Sequence, residues 1–363
     1  MQKEAREMLL RRTVLLGAAG GAAASALALV SRTALAANIT LLETGSTLLY
    51  PLFNLWVPKY TAKNPGVRIT TTSSGSGTGI AQAISGVAQI GASDAYMSDP
   101  QMKRNPDILN IPLAISAQTV NYNVPGLNKT NLKFSGPVLA GIYSGMITRW
   151  DDPAIAKLNP GVSLPARVIT PVHRTDGSGD TFIFSQYLAF STPAWAKSVG
   201  YGTTISWPPV HGGIGAIGNP GMVEASGHTP FSIAYIGVSF HAQVAEAGLG
   251  TALLENRAGN FVLPTPKTVG AAAAAIEAKT PPDERISLIF APGADSYPII
   301  NYEYAIVSTK QANPHVAAVL RDFLSWAVGP EGGNAPEFLD AVRFLPLPAK
   351  IAALSKQQIA KIR

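Results

Sequence analysis

HRTDGSGDTF, residues 173–182, sets one arginine ahead of a Gly-Ser-Gly turn and follows the turn with Asp180, Thr181 and an apolar run. Glycines let the backbone turn so that successive N–H groups face one spot. The apolar run from Phe182, continued by Tyr187, Leu188 and Phe190, predicts a helix beginning near Ser178 or Asp180. A helix start offers unpaired N–H groups and about half a positive charge, which together attract an anion. Arg174 adds a planar, permanently charged fork suited to an oxyanion. An ordinary capped helix after a loop would read the same way, so the recurrence of the pattern decides.

It recurs twice. GSTLLYPLF at 45–53 follows the strand-like ITLLET and enters an apolar-periodic stretch through Leu52, Leu55, Trp56 and Tyr60. SGSGTGIAQAI at 74–84 follows the β-rich VRITTT and enters a second helix of small residues. Three passages from strand through Gly, Ser and Thr into helix predict an α/β chain whose helix N-termini converge on an anion. QIGAS at 89–93 reads as a short strand delivering Asp94 at its end, where open α/β sheets place ligands.

At 363 residues the chain exceeds one typical core and suggests two lobes. Only 14% of residues are charged and 47% are hydrophobic, which argues for a sizeable buried core and against disorder. Residues 1–12 are charged and end in Arg11-Arg12, an apolar stretch runs from Thr13 to Val30, and Ala34-Leu35-Ala36 reads as a cleavage site. The expectation is a cleaved signal peptide over 1–36 and a periplasmic protein; RRTVLL also fits the twin-arginine pattern for export of a folded chain. Without those residues 23 bases face 20 acids, a net charge of +3 with no basic run, so nucleic acid is not an expected partner. The chain has no cysteine, which excludes disulfides, thiolate chemistry and cysteine-held metals. Its histidines, at 173, 211, 228, 241 and 315, form no i, i+4 pair, and no metal or other cofactor is expected.

Two long extended runs, 109–124 and 297–308, predict crossover strands between lobes, leaving the first lobe near Ala117 and returning near Pro298. FSGPVLAGIYSGMITRWDD reads as a helix ending near Arg149, with Pro153 opening the next. VHGGIGAIGNPGMVEA at 210–225 is Gly-rich and lacks both the P-loop lysine and a dinucleotide fingerprint. FSIAYIGVSF at 231–240 reads as a buried strand, 271–278 and 316–327 as helices, and the C-terminus as an amphipathic helix.

GSTLLYP, SSGSGTGI, QIGASDAYMSD at 89–99, RWDDPAIAKLNPG at 149–161 and HRTDGSGDTF occur in the order and spacing of one family. With them the chain resembles the periplasmic phosphate-binding proteins of the phosphate-specific ABC transporter over nearly all of its presumed mature length. The resemblance implies the two-lobe periplasmic-binding-protein fold of class II type, a ligand cleft lying between lobes joined by two crossover strands. Lobe 1 would then comprise 37–117 and 298–363, and lobe 2 118–297. It implies a monomer that binds inorganic phosphate and delivers it to membrane-embedded permease subunits, without catalysis. Carried across, the phosphate contacts fall on Ser46, Thr47 and Leu48 (the last through its N–H), Ser76, Asp94, Arg174, Ser178 and Gly179. Asp180 stands where enteric relatives have a threonine donor. A carboxylate cannot donate unless protonated, which leaves Asp180 two roles: a second acceptor of phosphate protons, the preferred reading, or a partner holding the Arg174 fork.

Asp94 carries a physical argument of its own. Phosphate near neutral pH bears one or two protons and sulfate bears none, so a buried carboxylate accepts a hydrogen bond from the first and repels the second. Sulfate or molybdate is the alternative ligand, and a secreted phosphatase built on Ser178, His173 and Asp94 or Asp180 the alternative class. DGSGD at 176–180 is not a nucleophile elbow, which counts against the phosphatase.

Overall fold

Ile108–Asn123 is one strand, buried along all but its last residue, and the sheet is arranged around it. The computed structural model describes residues 39–363, so the signal peptide expected over 1–36 lies outside them. In chain order the strands are β1 (Ile39–Gly45), β2 (Val67–Ser73), β3 (Ile90–Ser93), β4 (Ile108–Asn123), β5 (Lys133–Phe134) and β6 (Thr170–Arg174). After them come β7 (Ile214–Ala216), β8 (Ser232–Gly237), β9 (Gly250–Thr251), β10 (Leu253–Glu255), β11 (Phe261–Val262) and β12 (Ile300–Ser308). Nine form one sheet in the order β2-β1-β3-β12-β4-β8-β6-β7, with β9 also on β4; β11, β10 and β5 form a second.

β4 and β12 run antiparallel at the centre, and β4 changes partner midway. Residues Ile108 to Ala117 pair with β12, whereas Gln118 to Asn123 pair with β8. On one side β1 and β3 are parallel, and on the other β8, β6 and β7 are parallel. Each side is thus a strand–helix unit whose strand ends point at the same region, the two-lobe α/β arrangement expected. Pro112 has no N–H for the ladder, and the register slips there: Glu303 faces Ala114 while Tyr304 faces Pro112.

Each half has its own aromatic core. Phe53, Trp56 and Tyr60 of the helix Tyr50–Lys63 pack on Phe323 and Trp326 of the helix Pro314–Ala327. Tyr143, Phe184 and Tyr235 pack together in the other half.

Two expectations are corrected. The helix after Ser135 covers Gly136–Tyr143 and does not reach Arg149. Gly145 takes a left-handed φ of 76°, and the N–H groups of Met146 and Ile147 fold back onto the Gly141 carbonyl. Arg149 instead bridges to Val168. The strand expected over 231–240 stops at Gly237 and turns into a 3-10 helix, Val238–Phe240. That turn brings the Ser239 hydroxyl to donate to the Leu48 carbonyl at 2.7 Å, a bond from one half of the molecule to the other.

Candidate functional site

The site is made where three strands end. Gly45 closes β1 at φ 142°, and a Cβ there would lie 2.0 Å from the Ala92 carbonyl oxygen, so only glycine lets β1 and β3 finish side by side. Ser46 then donates its N–H to that same carbonyl at 2.9 Å. Its hydroxyl accepts from the Leu49 N–H at 2.9 Å and donates to Asp94, the residue that follows β3. Ser76 opens the helix Ser76–Ser85; its hydroxyl donates to the other Asp94 oxygen at 3.3 Å and accepts from the Asp94 N–H at 3.2 Å. Ser46, Ser76 and Asp94 are all buried.

The opposite half supplies the end of β6 and the helix Gly179–Ser191. Ser178 caps that helix by accepting from the Thr181 N–H at 3.2 Å. Its own N–H goes to the Thr203 carbonyl at 2.8 Å. Among the described residues, no protein acceptor faces the N–H groups of Leu48, Gly179 and Asp180. Gly179 lies so close to the first half that a Cβ there would fall 2.3 Å from Asp94 Oδ2 and 2.4 Å from Ser76 Oγ. Gly77 also donates its N–H to the Gly177 carbonyl at 2.8 Å. The structure therefore brings Ser46, Thr47, Leu48, Ser76, Asp94, Arg174, Ser178, Gly179 and Asp180 to one place.

Arg174 is 3% exposed and is held on three sides. Nε donates to Asp176 Oδ1 at 2.7 Å and Nη2 pairs with Oδ2 of the same carboxylate. Nη1 donates to Asp180 Oδ2 at 2.9 Å and to Thr47 Oγ1 at 3.3 Å. Both Asp180 oxygens are engaged by protein donors: Oδ2 also accepts from Asn219 Nδ2 at 2.7 Å, and Oδ1 from Gln118 Nε2 at 2.9 Å. This geometry favours the second of the two roles considered for Asp180, the partner that holds the fork.

Charge follows from these contacts. Burial and the neighbouring Asp180 charge push Asp94 up to about 7, against bonds from Glu303 and Ser46 and the charge of Arg174. Asp180 is raised by burial and held back by Arg174, Gln118 and Asn219. Burial would also lift Asp176, but the bonds and charge of Arg174 bring it below the usual carboxylate range. Arg174, which burial alone would lower, is driven up by Asp176 and Asp180 and stays charged. Three carboxyls around one guanidinium give the site no surplus of positive side chains. Its pull on an anion comes from hydroxyls and from the N–H groups at the helix starts.

Sequence reading missed three participants. Asn219 donates Nδ2 to Thr47 Oγ1 at 2.9 Å and accepts from the Gly237 N–H at 2.9 Å, tying both halves to Asp180. A signal was present: Ile214–Ala216 passes through Ile217 into the helix Gly218–His228, which opens on Gly218 and Asn219, a fourth strand–turn–helix passage. Asp176 follows Arg174 at a spacing that suits a local fork, and could have been read. Gln118 had no such signal, since only the sheet brings it to Asp180. His173 stacks on Trp207 instead, 5.1 Å between ring centres. Beyond the Gly77–Gly177 contact the halves part around a cavity of about 790 Å³ edged by Tyr96, Phe182 and Tyr201.

Comparison with known proteins bears on this arrangement. Residues 30–331 match the PBP superfamily domain. The phosphate-binding protein PstS of Methanocaldococcus jannaschii is 33% identical over 344 residues, 90% of this chain and 87% of that protein. PstS of Pasteurella multocida is 33% identical over 312 residues, 86% of this chain and 87% of its own. A high affinity periplasmic phosphate-binding protein, PfluDING, solved with phosphate bound, superposes with a TM-score of 0.68 over 89% of this chain and 93% of that one at 20% identity, a likeness of fold. The chain belongs to the PBP superfamily and, within it, to the family of the phosphate-binding protein PstS.

Proposed function

We propose that the protein captures inorganic phosphate between its two halves and delivers it to the membrane-embedded permease subunits of an ABC transporter. One observation carries the reading: Asp94, buried with a serine hydroxyl on each oxygen, lies against the Gly179 helix start and within reach of the Arg174 charge. A carboxylate in that position accepts the proton that phosphate has and sulfate lacks, and discrimination of this kind reaches about 10⁴-fold. The hydroxyls of Thr47 and Ser178 and the N–H groups of Leu48, Gly179 and Asp180 supply donors; Ser46 and Ser76 turn theirs to Asp94 and hold it as an acceptor, and Arg174 adds a charge that Asp176 and Asp180 balance.

We assign 37–117 and 298–363 to one lobe and 118–297 to the other, because β4 changes partner between Ala117 and Gln118. Lobe closure over a bound anion is the corresponding motion. The protein acts as a monomer in the periplasm after removal of residues 1–36, a segment whose Arg11-Arg12 suits the twin-arginine route. It binds without catalysis: the Ser178 oxygen accepts the Thr181 N–H as a helix cap, and His173 lies on Trp207 rather than beside that serine.

Calorimetry of the protein against phosphate, sulfate and arsenate tests the reading. Tight 1:1 binding of phosphate, weak sulfate binding and no turnover of phosphomonoesters are expected. Saturable hydrolysis lost in Ser178→Ala would overturn the binding role, and sulfate bound as tightly as phosphate would overturn the ligand.

A further inference from the structure

Glu303 is fully buried on β12, and the phosphate reading gives it no part. Its place follows from register. Tyr304 of β12 faces Ser93 of the antiparallel β3, so the preceding residue, Glu303, comes opposite Asp94, the residue after Ser93. Side chains opposite each other on such strands have Cβ atoms about 4.5–5.5 Å apart. The register slip at Pro112 lies beside Glu303 on its other flank, and bulges of this kind re-aim side chains next to sites. Glu303 Oε1 accepts from the Ser116 hydroxyl and from Asn301 Nδ2 at 3.1 Å. Glu303 Oε2 is buried and receives no donor among the described residues. An ionised carboxylate would leave that oxygen uncompensated against the charge of Asp94, an expensive arrangement in a buried site. A protonated one uses Oε2–H as a donor, and the Asp94 carboxylate is the acceptor opposite.

We propose that Glu303 is a positioning residue for the anion site: it carries a proton that it donates to Asp94, so that Asp94 remains a carboxylate able to accept the ligand's proton, and it thereby sets the preference for phosphate over sulfate. The inference rests on the phosphate reading above. The groups facing the carboxyl are Asp94 beyond β3, Ser116 on β4 and Asn301 on its own strand, with Asp180 and Arg174 acting on Asp94 from the other half. Burial and the Asp94 charge hold Glu303 well above the usual carboxylate range, in keeping with the geometry. Without the Glu303 donor, Asp94 beside the Asp180 charge takes up a proton of its own and turns from acceptor into donor. Sulfate, all of whose oxygens accept, then gains while phosphate loses.

The test uses Glu303→Gln, which keeps a donor and loses the titration, and Glu303→Leu, which removes both. Phosphate and sulfate affinities are measured by calorimetry from roughly pH 6 to 9.5. At neutral pH Glu303→Leu should narrow the phosphate-to-sulfate ratio by roughly tenfold or more, and Glu303→Gln should stay near wild type. On the alkaline side wild type should lose affinity beyond what phosphate ionisation explains, as the last proton leaves the pair, and Glu303→Gln should not. A wild-type ratio and pH profile in Glu303→Leu, or a loss in Glu303→Gln as large as in Glu303→Leu, overturns the proposal. Infrared difference spectra of ligand-free wild type against Glu303→Gln report the proton directly, and an ionised Glu303 at neutral pH overturns the proposal with no ligand present. A wild type that binds no phosphate overturns the phosphate reading, and with it the selectivity half; the infrared result still judges the proton.

Discussion

At the scale of single residues, the site works through a charge that is already spoken for. Arg174 holds Asp176, Asp180 and Thr47 together, so its removal unpins both halves of the site as well as removing the cation. Arg174→Ala should cost about 1.5–3 kcal/mol of phosphate affinity or more, against about 0.5–1.5 for Ser76→Ala. Calorimetry of the two variants side by side checks this, and equal losses would mean that Arg174 makes no charge-assisted bond to the ligand. Asp180 gives the sharper contrast. Its oxygens already accept from Arg174, Asn219 and Gln118, so Asp180→Thr should weaken binding while leaving the pH profile close to that of wild type. A flattened profile in Asp180→Thr would instead make it a second acceptor of ligand protons.

At the scale of elements, two contacts set how strands and helices meet. Gly179 has no room for a side chain between the helix start and Asp94 with Ser76. Gly179→Ala should push the helix away from β3 and weaken phosphate binding by more than tenfold, about 1.4 kcal/mol, with the fold kept as judged by circular dichroism. Unchanged affinity would show that the two halves do not meet there when phosphate binds. Glu284 joins the C-terminal helix to the segment before β12: Oε1 accepts from Ser355 Oγ at 3.0 Å and Oε2 from Gln358 Nε2 at 2.7 Å. Burial pushes it from an ordinary 4.5 up to about 7, against those two bonds. A raised carboxyl binds its proton more tightly in the folded chain, so its contribution is complete below pH 4.5 and is lost as pH rises through 7. Glu284→Gln should therefore gain stability on wild type between mildly acidic and alkaline pH, by roughly 1–3 kcal/mol, as read by urea unfolding at several pH values. A constant gap across that range would place the pH dependence elsewhere.

At the scale of the whole molecule, the residues from Thr40 to Arg363 form one contiguous body, because the two halves bond directly through Thr47–Asn219, Gly77–Gly177 and Leu48–Ser239. A ligand that binds only the folded, closed body stabilises it by mass action, about 4 kcal/mol at a thousandfold excess over Kd. Phosphate should accordingly raise Tm by several degrees, and equal sulfate should raise it far less. Small-angle scattering should show a smaller radius of gyration with phosphate than without, and no change would mean that closure does not accompany binding.

The sequence alone determined the α/β class, the three strand–turn–helix passages and the two long crossover strands, because hydrophobic period and Gly/Ser/Thr punctuation are local properties. It also marked Asp94 and Arg174, each carried by a short motif next to a predicted strand end. Where the helix after Ser135 ends was out of reach, since the left-handed turn at Gly145 and the Arg149–Val168 bridge depend on a distant segment. Tertiary structure alone decided that Gln118 reaches Asp180 and that Glu303 comes opposite Asp94. Sheet register places Glu303 beside Asp94 from 209 positions away, and β4 carries Gln118 to Asp180 across 62. Such contacts depend on which strands become neighbours, and that is settled by burying both faces of a mixed sheet rather than by anything written within one segment.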